Sequence, residues 1–386
     1  MMSKQSRKEY AKEIWIRYLK ASKKEKTKLL DDLVSFTRYN RNYATRKLSS
    51  KNFFGKKTPK KQRKKTYDSD VIIPLIKIWE TLDYPCSVRL HSQIPDMLSV
   101  LDIHREMRVS EEIKEKLLQI KPRTIDRKLK REKEVRKIKN KRFFATTKPG
   151  TLKSKISMRK GAQWDEDKPG YLEIDTVAHN GGDPGGTFVY TLNATDIYSG
   201  WTESIAGMGK SKKIVIGKGL CGTIIPSLPF KMKGVDGDSG SEIINDLLYF
   251  YCLQNNITFT RSRPYHSNDG AHIEEKNWTH IRKIVGYGRM DTLEEVHALN
   301  SLYRSELRLY MNFFQPHMKC VKKEYTGSKV KKKYEIKTPY QYLLGSDEIT
   351  QEKKLRLKKM YDNLNPVYLK REIERKKKII TKLAKY

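Results

Sequence analysis

Apolar residues recur at helical spacing near the start of the chain, where Ile14, Tyr18 and Leu19 share one face between runs of Lys and Glu. The following stretch "SKKEKTKLLDDLVSF" opens with Ser22 three residues before Glu25, the pairing of a capping box that starts a helix. A turn around residues 39–41 leads into "NYATRKL", so residues 1–50 are expected to form a helix-turn-helix DNA-binding unit, with Arg46 and Lys47 contacting nucleic acid. Residues 51–66 lose the periodicity, gain Gly and Pro punctuation and become densely basic, the pattern of a linker.

A second unit is expected over residues 67–132. The run "VIIPLIKIWETL" is apolar enough to pack, and "VSEEIKEKLLQIKPRTIDRKLKREK" repeats the earlier logic. Ser110 caps one helix, Lys121 and Pro122 turn the chain, and residues 123–130 form another. That last helix sets Arg123, Thr124, Arg127 and Lys128 against Ile125 and Leu129. A recognition helix needs this division, polar and basic side chains for bases and phosphates with an apolar face for anchorage. An ordinary surface helix shows it too; two such units in series favour DNA binding. Residues 133–163 are again rich in Lys and Arg without periodicity and read as a second basic linker.

After Gln163 the period changes from helical to alternating. "GYLEIDTVAH" and "TFVYTLNATDIYSGWTES" carry β-branched and aromatic residues around the turn-rich "NGGDPGG", and predict strands of one sheet. "DLLYFYCLQNN" predicts a helix, "ITFTRS" a further strand and "AHIEEKNWTHIRKIVG" another helix, which gives a mixed α/β domain over residues 164–318. A basic region, 319–386, follows, with Leu369, Ile373, Ile380 and Leu383 at helical spacing near its end. The expected architecture is therefore multidomain, α followed by α/β.

Composition adds a partner class. The 386 residues include 81 Lys and Arg against 45 Asp and Glu, a formal charge of +36 that points to a polyanion. No apolar run reaches the ~18 residues of a spanning helix, and the N-terminus lacks a secretory apolar centre, so a cytoplasmic, nucleoid-associated protein without a membrane partner is expected. Cys86, Cys221, Cys252 and Cys320 are dispersed, without the spacing of a disulfide framework or zinc site.

Against this charge, three acids stand out: Asp175 on the first predicted strand, Asp238 at the end of "FKMKGVDGD", and Glu274 at the start of the later helix. None has a short-range cationic partner in helix register. Converging acids repel unless a cation lies between them, and two divalent ions about 3.5–4 Å apart would both relieve the repulsion and serve phosphoryl transfer. Hard oxygen donors favour Mg²⁺.

The order Asp175, Asp238, Glu274, with thirty-five residues between the last two, resembles the acidic triad of the transposase and retroviral-integrase superfamily. "EIDTV", "DSGSE", "NDGAHIEEKN", "DIYSGWTE", "NFFQP" and "TPYQYLL" are similar to segments of bacterial insertion-sequence transposases. The resemblance implies an RNase H-like core and catalytic, metal-binding roles for Asp175, Asp238 and Glu274. It also implies two Mg²⁺ ions with Mn²⁺ as a substitute, double-stranded DNA as substrate, and a homo-oligomer on DNA. The apolar-Glu-x-x-Asn order from Ile273 to Asn277 selects Glu274 over Glu275, and the family wording selects Asp238 over Asp236. Ser239 stands where the family commonly has Asn, and Ile281 where relatives often have a basic residue; the neighbouring Arg282 is the candidate phosphate contact. Arg261, Arg263 and Asn268, in the loop before the helix, are further candidates for DNA contact.

Other residues attract plainer expectations. Glu242 reads as a first-turn helix acid, Asp196 as a strand-end residue, and Trp201 and Trp278 as core aromatics; His179, His266 and His272 are given no chemical role. The resulting functional expectation is a DNA transposase that cleaves and joins strands. The alternatives are a transposase-derived DNA-binding regulator without catalysis, or an RNase H-like nuclease.

Overall fold

The protein's structure, a computed structural model, describes residues 3–50, 67–136, 157–158, 167–237, 240, 242–261, 271–326 and 329–385. Both expected linkers fall almost wholly outside these residues, as do Asp238, Arg263, His266 and Asn268. The chain divides into two compact units, Met1–Thr66 and Tyr67–Tyr386.

In the first unit, α1 (Lys4–Lys20), α2 (Lys23–Thr37) and α3 (Arg41–Leu48) enclose Ala11, Ile14, Leu29, Leu30, Leu33, Ala44 and Leu48. The capping box forms: Glu25 accepts from the Ser22 backbone N–H at 2.8 Å. Arg38 takes a left-handed conformation to end α2, and Asn40 caps α3 through Asn42 N–H. Arg46 is exposed on α3, while Lys47 lies against the rings of Tyr39 and Tyr43.

The second unit begins with four helices, α4 (Ser69–Thr81), α5 (Ser87–Ile103), α6 (Glu111–Gln119) and α7 (Pro122–Val135). They were expected to stand apart from the sheet; instead they share its hydrophobic core. Val71, Leu75, Ile78 and Leu82 are fully buried, and Tyr310 and Gln315 reach across to donate to the carbonyls of Thr81 and Leu82. An apolar face that size loses contact with water only by packing on the larger body.

Among the described residues the sheet has six strands in the order β1-β6-β5-β2-β3-β4, built from β1 (Ser157–Met158), β2 (Tyr171–Ala178), β3 (Val189–Asp196), β4 (Thr202–Met208), β5 (Gly234–Gly237) and β6 (Thr258–Arg261). β2, β3 and β4 form an antiparallel meander; β5 runs parallel to β2, β6 to β5 and β1 to β6. The β3–β4 turn needs glycine at Gly200, whose φ is +72° and whose missing Cβ would lie 2.6 Å from the His317 ring.

One face of the sheet is covered by a π-helical segment, Lys213–Ile224, continued by α8 (Ile225–Ser227), and α9 (Asp246–Gln254) packs beside that segment. On the other face lies a continuous helix over 271–285: α10 (Ala271–Lys276), a π turn at Asn277–Arg282, and α11 (Lys283–Val285). α12 (Leu293–Leu302) leads through a π turn at Tyr303–Leu307 into α13 (Arg308–Phe314).

The basic region after residue 318, expected to contain helices, also contains strands. A hairpin, β7 (His317–Thr326) and β8 (Lys329–Lys337), precedes α14 (Pro339–Leu344), α15 (Gln351–Asp362) and α16 (Pro366–Leu383). Lysine-rich strands carry little of the apolar alternation by which strands are recognised. Among the described residues, no helix is long and apolar enough to cross a membrane.

Candidate active site

Alternation along β2 places Glu173 and Asp175 on the face covered by the helix over 271–285. Glu173 is buried, and its Oε2 accepts a 3.0 Å hydrogen bond from Ile273 N–H, satisfying a backbone donor in the first turn of α10. Two residues on, Asp175 is half-buried. Its Oδ1 accepts from Thr176 N–H at 2.7 Å, and its Oδ2 from Asn277 Nδ2 at 2.6 Å.

The amide of Asn277 is itself oriented. Asn193, paired with Asp175 across the β2–β3 ladder, donates from Nδ2 to Asn277 Oδ1 at 2.9 Å. Ser204 Oγ donates to Asn193 Oδ1 at 2.8 Å. Because an ionised carboxylate only accepts, Asn277 must turn Nδ2 toward Asp175, which leaves its Oδ1 for Asn193. The resulting chain, Ser204 to Asn193 to Asn277 to Asp175, crosses three strands and one helix. Asn277 also opens the π turn, a local widening often found at functional sites.

Glu274 lies in α10, one turn before Asn277, and is exposed. Glu275 is directed elsewhere, with Oε1 3.7 Å from Arg89 Nη2 on α5. Asp236 is buried in β5 and accepts from Thr260 on β6 at 2.5 Å. The structure thus brings Asp175 and the helix carrying Glu274 together, while Asp238, immediately after β5, lies outside the described residues. Asp175 and Glu274 both carry the hard oxygen donors that cations such as Mg²⁺ take. Among the described residues, no group of three candidate ligands is assembled.

Several side chains sit where sequence reasoning did not put them. Glu242 is not in the first turn of α9, whose cap is Asn245; it is buried before the helix, accepting from Thr176 Oγ1 at 3.3 Å and lying 3.6 Å from Lys210 Nζ. The turn at residues 242–245 precedes the helix, so the acid meets the strand rather than the helix dipole. Trp278 is 38% exposed rather than core, because it follows the sheet-facing Asn277 by one helical residue, about 100° round the axis; Trp201 is fully buried. Asp196 does end a strand, and burial pushes its carboxyl up to about 6 even though Gly170 N–H and Ser199 N–H donate to it.

Arg282 turns inward, donating from Nη2 to Ala178 O at 2.7 Å, with its guanidinium 4.8 Å from the Tyr287 ring centroid. Beside it His179 is fully buried and bonded through Nε2 to Thr191 Oγ1 at 2.8 Å; burial, and then the Arg282 charge, pushes the imidazole down to about 3. Arg123 and Arg127 are exposed on α7, Thr124 is half-buried, and Lys128 is anchored on Tyr67 O. Arg261 ends β6 and is half-buried.

These features define a mixed α/β protein with a carboxylate on β2 and a carboxylate-bearing helix tied against it. The chain is 33% identical over 338 residues to the uncharacterized protein y4rM of Sinorhizobium fredii, a match covering 88% of this chain and 95% of that protein, and it belongs to the same family. No protein-family model matches the chain. The crystal structure of the catalytic core domain of BIV integrase is similar at 17% identity over 46% of this chain and 95% of that one; its TM-score of 0.30 is too low to bear on the fold.

Proposed function

We propose that this chain is a DNA transposase of an insertion sequence, which cleaves at element ends to expose a 3′-hydroxyl and joins that hydroxyl to target DNA. The observation that carries the proposal is the hydrogen bond by which Asn277 ties the helix bearing Glu274 to the strand bearing Asp175. Asp175, Asp238 and Glu274 are the residues that would hold Mg²⁺, which when bound supplies stabilisation of the attacking and leaving oxygens in an in-line displacement.

The work of the chain itself is positional. Thr176 N–H and Asn277 hold the two oxygens of Asp175, and Asn193 with Ser204 holds the Asn277 amide. Glu173 anchors the first turn of the helix on the same strand. A carboxylate so held does not have to reorient when DNA arrives. Arg46, Lys47, Arg123, Thr124, Arg127 and Lys128 would meet duplex DNA through the N-terminal helices, and Arg261, Arg263 and Asn268 would meet the strand being cut; Arg282 would have to leave Ala178 O to join them. A charge of +36 makes affinity fall steeply with salt. Joining two element ends calls for a homo-oligomer on DNA, in the cytoplasm with the nucleoid.

The test is to compare Asp175→Asn, Asp238→Asn and Glu274→Gln with the wild type on element ends. Each is expected to keep end binding and lose cleavage and joining with Mg²⁺ or Mn²⁺; joining retained by the Asp175→Asn protein would refute the proposal.

A further inference from the structure

A cavity of about 310 Å³ opens at the edge strand β4, beside Trp201, Glu203 and Ser204, and runs under α15. That volume is at the lower end of the range for small-ligand sites, about 300–1,000 Å³. Among the described residues its charged lining is Arg304, Arg308, Lys353, Arg356 and Glu203, four cations against one acid.

The single acid is already engaged. Arg308 Nε lies 2.6 and 2.7 Å from the two oxygens of Glu203, and Trp201 Nε1 donates to Oε1 at 2.8 Å. Arg308 is further held by a 2.8 Å bond from Nη2 to Ser227 O and by the Trp201 ring, whose centroid is 5.6 Å away. The cavity therefore contains a guanidinium fixed before any ligand arrives. Arg304, Lys353 and Arg356 are exposed and form no ion pair among the described residues. Arg304 with Arg308, and Lys353 with Arg356, stand four and three residues apart, spacings that bring like charges onto one side of a helix where they repel. An anion bound among them removes that repulsion. Leu357 and Met360 supply an apolar wall beside the cations.

We propose that this cavity binds a nucleotide phosphate, carried either by a DNA strand or by a free mononucleotide, with the cations on the phosphate and the apolar wall against sugar or base. The four cations sit on elements that carry none of the proposed catalytic acids, and the cavity meets the proposed catalytic network only at Ser204, whose hydroxyl bonds Asn193.

The test uses the full chain and an Arg304→Gln/Arg356→Gln double variant. Both substituted side chains are exposed, so thermal unfolding of the variant is expected to match the wild type. Inorganic phosphate and dAMP are titrated by calorimetry, and a short DNA duplex by anisotropy at several salt concentrations. The expected result is a loss of about tenfold or more in affinity for at least one probe. Weakened phosphate and dAMP binding with unchanged duplex binding identifies a free-nucleotide site. Weakened duplex binding, with a log–log salt slope shallower by about two, identifies a DNA-backbone site. Equal affinities of wild type and variant for every probe, or no wild-type binding of any, overturn the proposal.

Discussion

Asn277 donates to Asp175 at 2.6 Å across 102 residues of sequence, and this contact joins the central strand to the helix that carries Glu274. It converts two segments that are separate in the chain into one rigid corner. If the transposase proposal holds, Asn277→Ala should lower strand transfer by about 10–100-fold, the range seen when groups that orient a metal ligand are lost. End binding should be unchanged. Stability should fall by about 1–3 kcal/mol, because the fully buried Asn193 Nδ2 loses its acceptor. Strand-transfer rates and urea unfolding read the two effects separately.

Glu173 offers a test that does not depend on the reaction. Its Oε2 accepts from Ile273 N–H at the start of the helix over 271–285. Glu173→Ala removes the acceptor and opens a cavity, and should cost about 2 kcal/mol of stability, comparable to the loss of a strong helix cap. Hydrogen exchange should speed at the first turn of that helix and not in α1–α3. Unchanged exchange there would contradict the anchoring role.

Acid should destabilise the second unit through its buried histidines. Burial and Arg282 push His179 down from 6.5 to about 3, and burial and Lys276 hold His280 well below 6.5. In the unfolded chain each ring takes up a proton below about pH 6.5, so the unfolded state binds more protons and stability falls as pH drops from there toward 3. The expected slope is about 1.4 kcal/mol per pH unit per ring. Asp196, raised to about 6 by burial, acts with the opposite sign between about pH 4 and 6. Comparison with His179→Asn isolates one ring: urea unfolding from pH 7 to 5 should show a shallower loss in the variant.

Asp83 ties three elements at one point. It lies in the turn after α4, with φ at +61°, and pairs with Lys283 on α11 and Lys370 on α16. Burial disfavours its charge, but Lys370 and Lys283 more than offset that and hold the carboxyl below its usual range. Asn tolerates the left-handed backbone, so Asp83→Asn tests the charge alone. It should cost about 1–3 kcal/mol and reduce acid sensitivity, since the stability from a depressed carboxyl is present above pH 4 and lost as pH falls below it.

The strands and most helices were legible because their signals are local. Alternation of Leu172 and Ile174 with Glu173 and Asp175 announces β2, and Ser22 with Glu25 announces α2. The motif around Glu274 pointed to Asn277 without saying what it touches. Glu242 was misread because its place depends on where α9 begins, and Trp278 because its aromatic character does not say which face of the helix it occupies. The β7–β8 hairpin was missed because its faces differ little in polarity.

By itself, the sequence determined the class of elements, the acids available and the formal charge of +36, since periodicity and composition act over a few residues or over the whole chain. Only the tertiary structure decided that α4–α7 share a core with the sheet, that Arg282 faces inward, and that Asn193 and Ser204 stand behind Asn277. Those outcomes depend on contacts between residues tens to hundreds of positions apart, where burying apolar faces and satisfying polar groups must be solved for the whole molecule at once.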